Sequence, residues 1–295
     1  MLRHVIEHLT CPYGEPSLAL DGASLRCPAG HRFDVARQGY VSLLRGRSPA
    51  AADTPAMVAA RVEVVAGGHL EPLRAALIEA VEGTTDSAGC RRAAGADPGS
   101  GTGERPGLVV EVGAGPGHHL AAVLEATGAE AGLALDSSKA ACRRAARAHP
   151  RLGAVLADAW QPLPIRDAAA DLVMVVFAPR HLDEVLRILA PRARLVVAAP
   201  EPDHLGVLVE RLGLLRVDAG KPDALDRVLA GRADPVARRV VRWTRHLNHA
   251  EVTTVVGMGP SAHHLDVGVV AERIAGLPEP VEVGFAVTVS TLRRR

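Results

Sequence analysis

Aromatic residues are scarce: 3 Phe, 2 Trp and 2 Tyr in 295 residues. The core must therefore be built from Ala, Val and Leu, within a hydrophobic fraction of 48%. Lysine is nearly missing as well, with Lys139 and Lys221 alone, so almost every basic side chain is arginine. The net charge of +1 excludes a polycation, and any role on nucleic acid has to rest on local patches. No apolar run approaches the roughly 20 residues of a membrane span. The N-terminus, with His4, Glu7 and His8, lacks a signal-peptide core. Four cysteines, at 11, 27, 90 and 142, do not make a secreted disulfide framework. The expectation is a cytoplasmic chain with one sizeable core and an accessory module.

What is present falls into four segments. Residues 1–45 are rich in turn formers and hold two of the cysteines and several histidines. Residues 46–82 form a connector. Its apolar spacing from Met57 to Val65 and from Leu70 to Val81 predicts helix, broken at Gly67-Gly68. Residues 83–107 carry Gly, Ala, Ser and Pro without an apolar face and read as a flexible insertion. From 108 to 295 strands and helices alternate. Strands are predicted at 108–112, 131–135, 153–157, 171–177 and 193–199, with helices at 117–127, 138–148, 181–190 and 203–213. Residues 236–246 and 281–291 would add two last strands, and 222–231, 248–257 and 267–276 read as helical. Short Val/Leu runs separated by helices predict an α/β fold, a mostly parallel sheet covered on both faces.

In such a sheet ligands bind at the carboxyl ends of the strands. Three features should meet there. Glu111-Val112-Gly113-Ala114-Gly115-Pro116-Gly117 follows the first strand and opens a helix; glycines let backbone approach a ligand, and the helix start offers free N–H groups. Asp136 ends the second strand, where an acid accepts two ribose hydroxyls. Asp158-Ala159 ends the third, 22 residues on, where an acid takes the amine of adenine. Either acid alone reads equally well as a loop residue or helix cap, and Glu111 as a brace for the turn. Together they predict a nucleoside-type cofactor. The spacing E-x-G-x-G-x-G resembles the first motif of S-adenosylmethionine-dependent methyltransferases, which implies a Rossmann-like class I core with a mixed seven-stranded sheet.

The head has the outline of a zinc ribbon. Cys11, Cys27 and His31 are three of the four ligands a tetrahedral site expects, and Gly14 stands where a second C-x-x-C cysteine belongs. Metal binding and a metal-free remnant with two small core thiols are both open readings.

Nearly the full chain resembles one family, the 23S rRNA guanine-N1 methyltransferases, in particular the actinobacterial subgroup conferring resistance to tylosin- and mycinamicin-type macrolides. The head match runs Cys27-Pro28-x-Gly30-His31-x-Phe33-Asp34-x-Ala36-x-x-Gly39-Tyr40-Val41-x-Leu43-Leu44. Further matches are Ala52-Asp53-Thr54, Met57-Val58-x-Ala60-Arg61, Gly68-His69, Gly115-x-Gly117-His118-His119-Leu120, Arg143 to Pro150, Phe177-Ala178-Pro179-Arg180 and Met258-Gly259-Pro260-Ser261-Ala262. Three departures accompany the match: Gly14 replaces a zinc ligand, residues 83–107 are longer and looser than the family leads one to expect, and Pro191-Arg192-Ala193 replaces a Pro-Gly-Gly loop.

The resemblance implies S-adenosylmethionine as cofactor, bound by Glu111, Gly113, Gly115, Gly117, His118, His119, Asp136, Asp158 and Ala159, with 23S rRNA as partner, and a homodimer. Guanine 748 (reference numbering), in a hairpin loop at the macrolide site, would be the target. Phe177 would stack on the splayed guanine and Arg180 hold O6 or phosphate; the alternatives are a core Phe177 and a helix-capping Arg180. No proton acceptor stands out, Glu201, His204, His263 and His264 being candidates by position alone. Arg32, Arg37, Arg45 and Arg47 with Tyr40 are the candidate RNA-facing patch of the head; Arg238, Arg239, Arg242 and Arg245 with Trp243 are a second candidate, which also reads as a strand with an ordinary polar face. Two other functions compete: a methyltransferase of small molecules, which needs no Cys/His head, and a non-catalytic RNA-binding protein, which needs no intact cofactor constellation.

Overall fold

The computed structural model describes residues 2–14, 17–46, 49, 52–82, 106–178, 181–217, 225 and 227–295. The insertion expected at 83–107 falls, but for its last two residues, outside them, as do Arg47 and Arg180.

The head begins with two 3-10 turns, Leu2–His4 and Ile6–His8, and continues as a three-stranded antiparallel sheet, β1 (Ala19–Asp21), β2 (Ser24–Arg26) and β3 (Arg32–Asp34). Its last strand, β4 (Tyr40–Ser42), leaves that sheet and joins the main one. Two helices follow, α1 (Pro55–Ala66) and α2 (Glu71–Glu82). Thr54 caps α1 by accepting from the Met57 amide, and Pro55 presets its first turn. The predicted break falls at Gly67-Gly68, where Gly68 takes a φ of 71°.

The main sheet holds β5 (Leu108–Val112), β6 (Ala131–Asp136), β7 (Leu152–Leu156), β8 (Ala170–Val176), β9 (Leu189–Pro200), β10 (Ala233–Leu247) and β11 (Val281–Arg294). Its order is β10-β11-β9-β8-β5-β6-β7-β4. The seven strands expected of the core are all there, and β4 adds an eighth. Strands β4 to β9 run parallel; β11 is antiparallel to β9 and β10 to β11. Strand order reverses between β5 and β8, the switch point where a doubly wound sheet opens a crevice. Helices α3 (His118–Thr127), α4 (Lys139–Ala145), α5 (Leu182–Ile188) and α6 (Gly206–Leu212) cover the faces, and two more, His249–Gly257 and Val267–Ala275, pack beside the C-terminal strands. Of the helix expected at 222–231, residues 225 and 227–231 are described; 225 and 227–229 are helical and 230–231 form a turn.

Alternation along the strands sorts the core into two layers. Leu108, Val110 and Val112 face one side with Leu133, Leu135 and Leu195; Val109 faces the other with Ala134, Leu152 and Ala154. Nearly all of this is aliphatic, as the shortage of rings requires, and Phe285 is the one aromatic among the largest fully buried side chains.

The head was expected as a separate small module, yet its core is continuous with the first layer. Leu2, Val5, Leu9, Cys11, Leu25, Cys27 and Val41 pack in one cluster with the strands. A Cβ on Gly153 of β7 would lie 2.4 Å from Val5. Three strands of three residues each bury too little to stand alone, so the head borrows the sheet's flank.

Candidate active site

The glycine turn sits at the carboxyl end of β5, beside the switch point. Gly113, Gly115 and Gly117 have φ of 72°, 55° and 79°, the left-handed region that side chains disfavour. Gly113 needs its bare backbone for a second reason: a Cβ there would lie 2.2 Å from that of Ala178. The Gly113 and Ala114 amides both donate to the Leu135 carbonyl, at 2.8 and 3.0 Å, binding the turn to the end of β6.

Asp136 closes the same corner. Its Oδ2 accepts from the Gly115 amide and its Oδ1 from the Ser138 amide, both at 2.8 Å. Burial raises its pKa, against the pull of those two donors. Each carboxylate oxygen has a second lone pair, so the acid can still receive two hydroxyl donors. Glu111 is 1% exposed, and its Oε2 accepts from the Leu120 amide of α3 at 3.1 Å. Burial pushes it up to about 8, the Leu120 donor opposing and the Asp136 charge adding. The bracing reading of Glu111 thus has a bond behind it. Asp158 lies one strand over, accepting from the Trp160 amide at 2.9 Å and the Gln161 side chain at 3.4 Å. Ala159 packs against the first core layer, and Trp160 projects beside it, 63% exposed.

His118 and His119 open α3. Burial, then the charge of Arg61, brings His118 down to about 4, and burial holds His119 well below the usual range. Both imidazoles are therefore neutral at pH 7.

Sequence reasoning gave no role to the residues that roof this corner. Arg61 of α1 pairs with Asp53 and donates to the Met258 carbonyl at 2.9 Å. A Cβ on Gly115 would lie 3.1 Å from its Nη1. Ser138 Oγ donates to the Asp53 carbonyl at 2.7 Å. The segments Ala52-Asp53-Thr54, Arg61 and Met258 had appeared as matched motifs; only the fold shows that they converge over the glycine turn.

Across the switch point, Phe177 directly follows β8 with a φ of 52° and is 43% exposed, so the core reading of this ring fails. Its amide donates to the Ala198 carbonyl at 3.0 Å, and its ring centroid lies 5.7 Å from that of His204. Glu201, at the end of β9, accepts from the Thr288 hydroxyl and lies 4.0 Å from Arg242. His263 and His264 sit on and just after the turn Pro260–His263, with their rings 6.2 Å apart.

In the head, the Sγ atoms of Cys11 and Cys27 lie 3.5 and 3.3 Å from His31 Nδ1, and the three donor atoms fall within 4.8 Å of one another. Two thiolates and an imidazole on one zinc ion at usual bond lengths are separated by about 3.5 Å, so the set fits that ion with a fourth position left over. Gly14, where that ligand is missing, takes a φ of 105° with nothing within 4 Å of a built Cβ.

The arginine patches need one correction. Tyr40, expected on the RNA-facing surface, is 8% exposed and packs in the second core layer, because β4 is drawn into the main sheet. The exposed ring of the head is Tyr13, at 56%, with the Arg45 guanidinium 5.9 Å above it. Arg37 and Arg45 are exposed, and Arg32 donates to Ser24 Oγ at 2.9 Å. In the second patch Arg239 pairs with Glu79 and Arg242 with Asp203, while Trp243 stacks on Phe285 and donates to the His69 carbonyl at 2.8 Å. The Trp243 ring is thus bound into the fold, while the Arg239 and Arg242 side chains stay 62% and 56% exposed.

A glycine turn and two strand-end acids on a sheet of this order define a Rossmann-like, S-adenosylmethionine-dependent methyltransferase, and a methyltransferase-domain family model matches residues 109–197. The N-terminal zinc-ribbon model of the RlmA proteins matches residues 9–47. A 23S rRNA (guanine(748)-N(1))-methyltransferase of Streptomyces fradiae is 46% identical over 293 residues, covering 99% of both chains. A relative from Micromonospora griseorubida is 48% identical over 98% of both chains and carries a provisional name for 23S rRNA (guanine-N(1)-)-methyltransferase activity. This chain belongs to the 23S rRNA (guanine-N1)-methyltransferase family. Among the described residues no helix is long and apolar enough to cross a membrane.

Proposed function

We propose that this protein transfers a methyl group from S-adenosylmethionine to N1 of guanine 748 in a 23S rRNA hairpin loop, giving resistance to tylosin- and mycinamicin-type macrolides. The observation that carries the reading is the intact corner of glycine turn, Asp136 and Asp158 in one chain with a convergent Cys/His head. Gly113, Gly115 and Gly117 cradle the cofactor by backbone, Asp136 takes its ribose hydroxyls, and Asp158 with Ala159 takes its adenine. Glu111, His118 and His119 hold the turn in shape. The cofactor supplies an electrophilic methyl on a sulfonium.

The chain's own work is to fix the acceptor base. A splayed guanine stacks on Phe177, and Arg180 holds its O6 or a phosphate; positioning of this kind supplies much of the rate. The head, residues 1–45, would read RNA with Arg32, Arg37 and Arg45 and the ring of Tyr13, joined by Arg47 just beyond it, with zinc on Cys11, Cys27 and His31. The connector 46–82 links it to the methyltransferase domain, 108–295. Location in the cytoplasm and assembly as a homodimer belong to the same proposal.

The test is methyl transfer to 23S rRNA lacking the mark, mapped by primer-extension arrest at the blocked Watson–Crick edge, alongside cofactor titration by calorimetry. An arrest at position 748 supports the reading. Cofactor binding with methylation only of small macrolide precursors defeats it, as does an absence of cofactor binding. Asp136→Ala should weaken cofactor binding at least tenfold while Asp136→Glu weakens it less.

A further inference from the structure

Methylation at N1 requires that position to lose a proton, and no acceptor was identifiable from the sequence. We propose that His204 Nε2 is the group that accepts the guanine N1 proton, a step that rests on the functional reading above.

Three observations place it. First, a line of close contacts joins the cofactor turn to this ring: Gly113 lies against Ala178, Ala178 follows Phe177, and the Phe177 ring lies 5.7 Å from His204. A base stacked on Phe177 is therefore within reach of both the transferred methyl and the imidazole. Second, the ring is fixed through its other nitrogen. His204 Nδ1 lies 3.0 Å from the Ala286 carbonyl and 3.2 Å from the Ala286 amide on β11, and Phe285 packs edge-on at 5.7 Å. A bond from Nδ1–H to the Ala286 carbonyl leaves Nε2 a bare lone pair, whereas the Ala286 amide directed at Nδ1 matches the opposite tautomer; the proposed step requires the first. Third, the backbone on both sides is strained. Phe177 at 52° and Leu205 at 55° are two of the four non-glycine residues with positive φ among those described, and they flank the ring pair. Such strain persists where surrounding structure holds it, and it gathers at functional sites.

The neighbouring charges suit the task. Asp203 and Glu201 come from the same loop and Arg242 from β10, while β11 presents Phe285, Ala286 and Thr288, none charged. Glu201 is already engaged by Thr288 and faces Arg242, which leaves His204 as the open base. Burial lowers its pKa, against the Ala286 bond and the Asp203 charge, so the ring is neutral at pH 7. In the reaction the N1–H bonding pair forms the N1–C bond, the S–C pair returns to sulfur as a neutral thioether, and the proton sits on Nε2 until water removes it.

His204→Asn tests this, because its amide can keep the Ala286 bond and removes Nε2. Single-turnover methylation of unmethylated 23S rRNA would be followed from pH 5.5 to 9. The expected result is a rate at pH 7.5 about 10²-fold lower or worse, typical of a lost general base. The acid limb of the wild-type profile should vanish, and cofactor and RNA affinities should stay within threefold. A rate within threefold of wild type with the same acid limb overturns the assignment. Nitrogen-15 imidazole spectra of the wild-type protein give an answer even where the variant does not fold: a bare Nε2 with Nδ1–H at pH 7.5 supports it, and the opposite tautomer overturns it. If the wild-type protein leaves guanine N1 unmethylated, the functional reading falls and this step with it; if only the variant comparison fails, the functional reading stands.

Discussion

The Nε2 atoms of His118 and His119 lie 2.9 Å apart, with ring centroids 3.9 Å apart, while both Nδ1 atoms are buried without a hydrogen-bond partner among the described residues. One ring donates and the other accepts, so at least the accepting imidazole must be neutral; Arg61 adds to the burial that disfavours protonation of either. Both folded-state pKa values lie below the unfolded value near 6.5. The unfolded chain therefore takes up protons first as pH falls. Stability should be full above about pH 7 and decline from 6.5 toward 4, by on the order of 3 kcal/mol for His118. Thermal melts across that range check this, and His119→Leu should flatten the slope.

Gly113→Ala should be among the most damaging single-methyl changes in the chain. It adds a Cβ 2.2 Å from that of Ala178 at a φ of 72°. We expect a loss of about 2 kcal/mol or more in stability and at least a tenfold loss in cofactor affinity. Adding Ala178→Gly should restore part of the stability, since it removes the clash and leaves the φ penalty; a double-mutant cycle reads the coupling.

The head should bind one zinc ion per chain by elemental analysis, and a strong chelator should lower the melting temperature of the whole protein, because the head shares the sheet's core. Cys27→Ala should abolish the binding. Gly14→Cys should tighten it by supplying a fourth thiolate, partly offset by the φ of 105° at that site. A chelator without effect on either metal content or melting would exclude the metal.

Arg37→Ala and Arg45→Ala should each weaken RNA binding and reduce the salt slope by about 1, leaving cofactor affinity unchanged. Tyr13→Ala should weaken RNA binding with little change in that slope, because a ring contributes stacking and no charge. Filter binding across a salt series separates the two. A Tyr40 substitution should instead destabilise the fold.

Arg192 stands where the resembling loop carries glycine, and it takes a φ of 65°. Arg192→Gly should therefore stabilise the protein by about 1 kcal/mol, the reverse of the usual effect of a glycine. A rise in melting temperature without change in activity would bear this out.

The parts legible in the sequence were those written in short-range pattern. Val/Leu runs located β5 to β8 within a residue or so, and the glycine turn and Asp136 meet through the Gly115 amide as their strand-end positions led one to expect. Strand β4 was missed because three residues, Tyr40-Val41-Ser42, show no period and pair with a strand more than 100 residues away. Long-range pairing also explains why Tyr40 was misplaced on the surface. Arg61 and Met258 carried no chemical signature at all; their meeting over Gly115 arises from the packing of α1 on helix His249–Gly257. His204 was one of several histidines until Ala286 and Phe177 came to lie on either side of it.

Strand β4 seals the outer flank of β7, and that has a bearing on protein engineering. A catalytic fragment trimmed to residue 108 onward would bare a flat hydrogen-bonding rim beside Asp158, an invitation to stick to its own copies. Swapping in the head of a relative would have to carry Tyr40–Ser42 and its partners on β7 together, since the head and the methyltransferase domain are stitched through one seam.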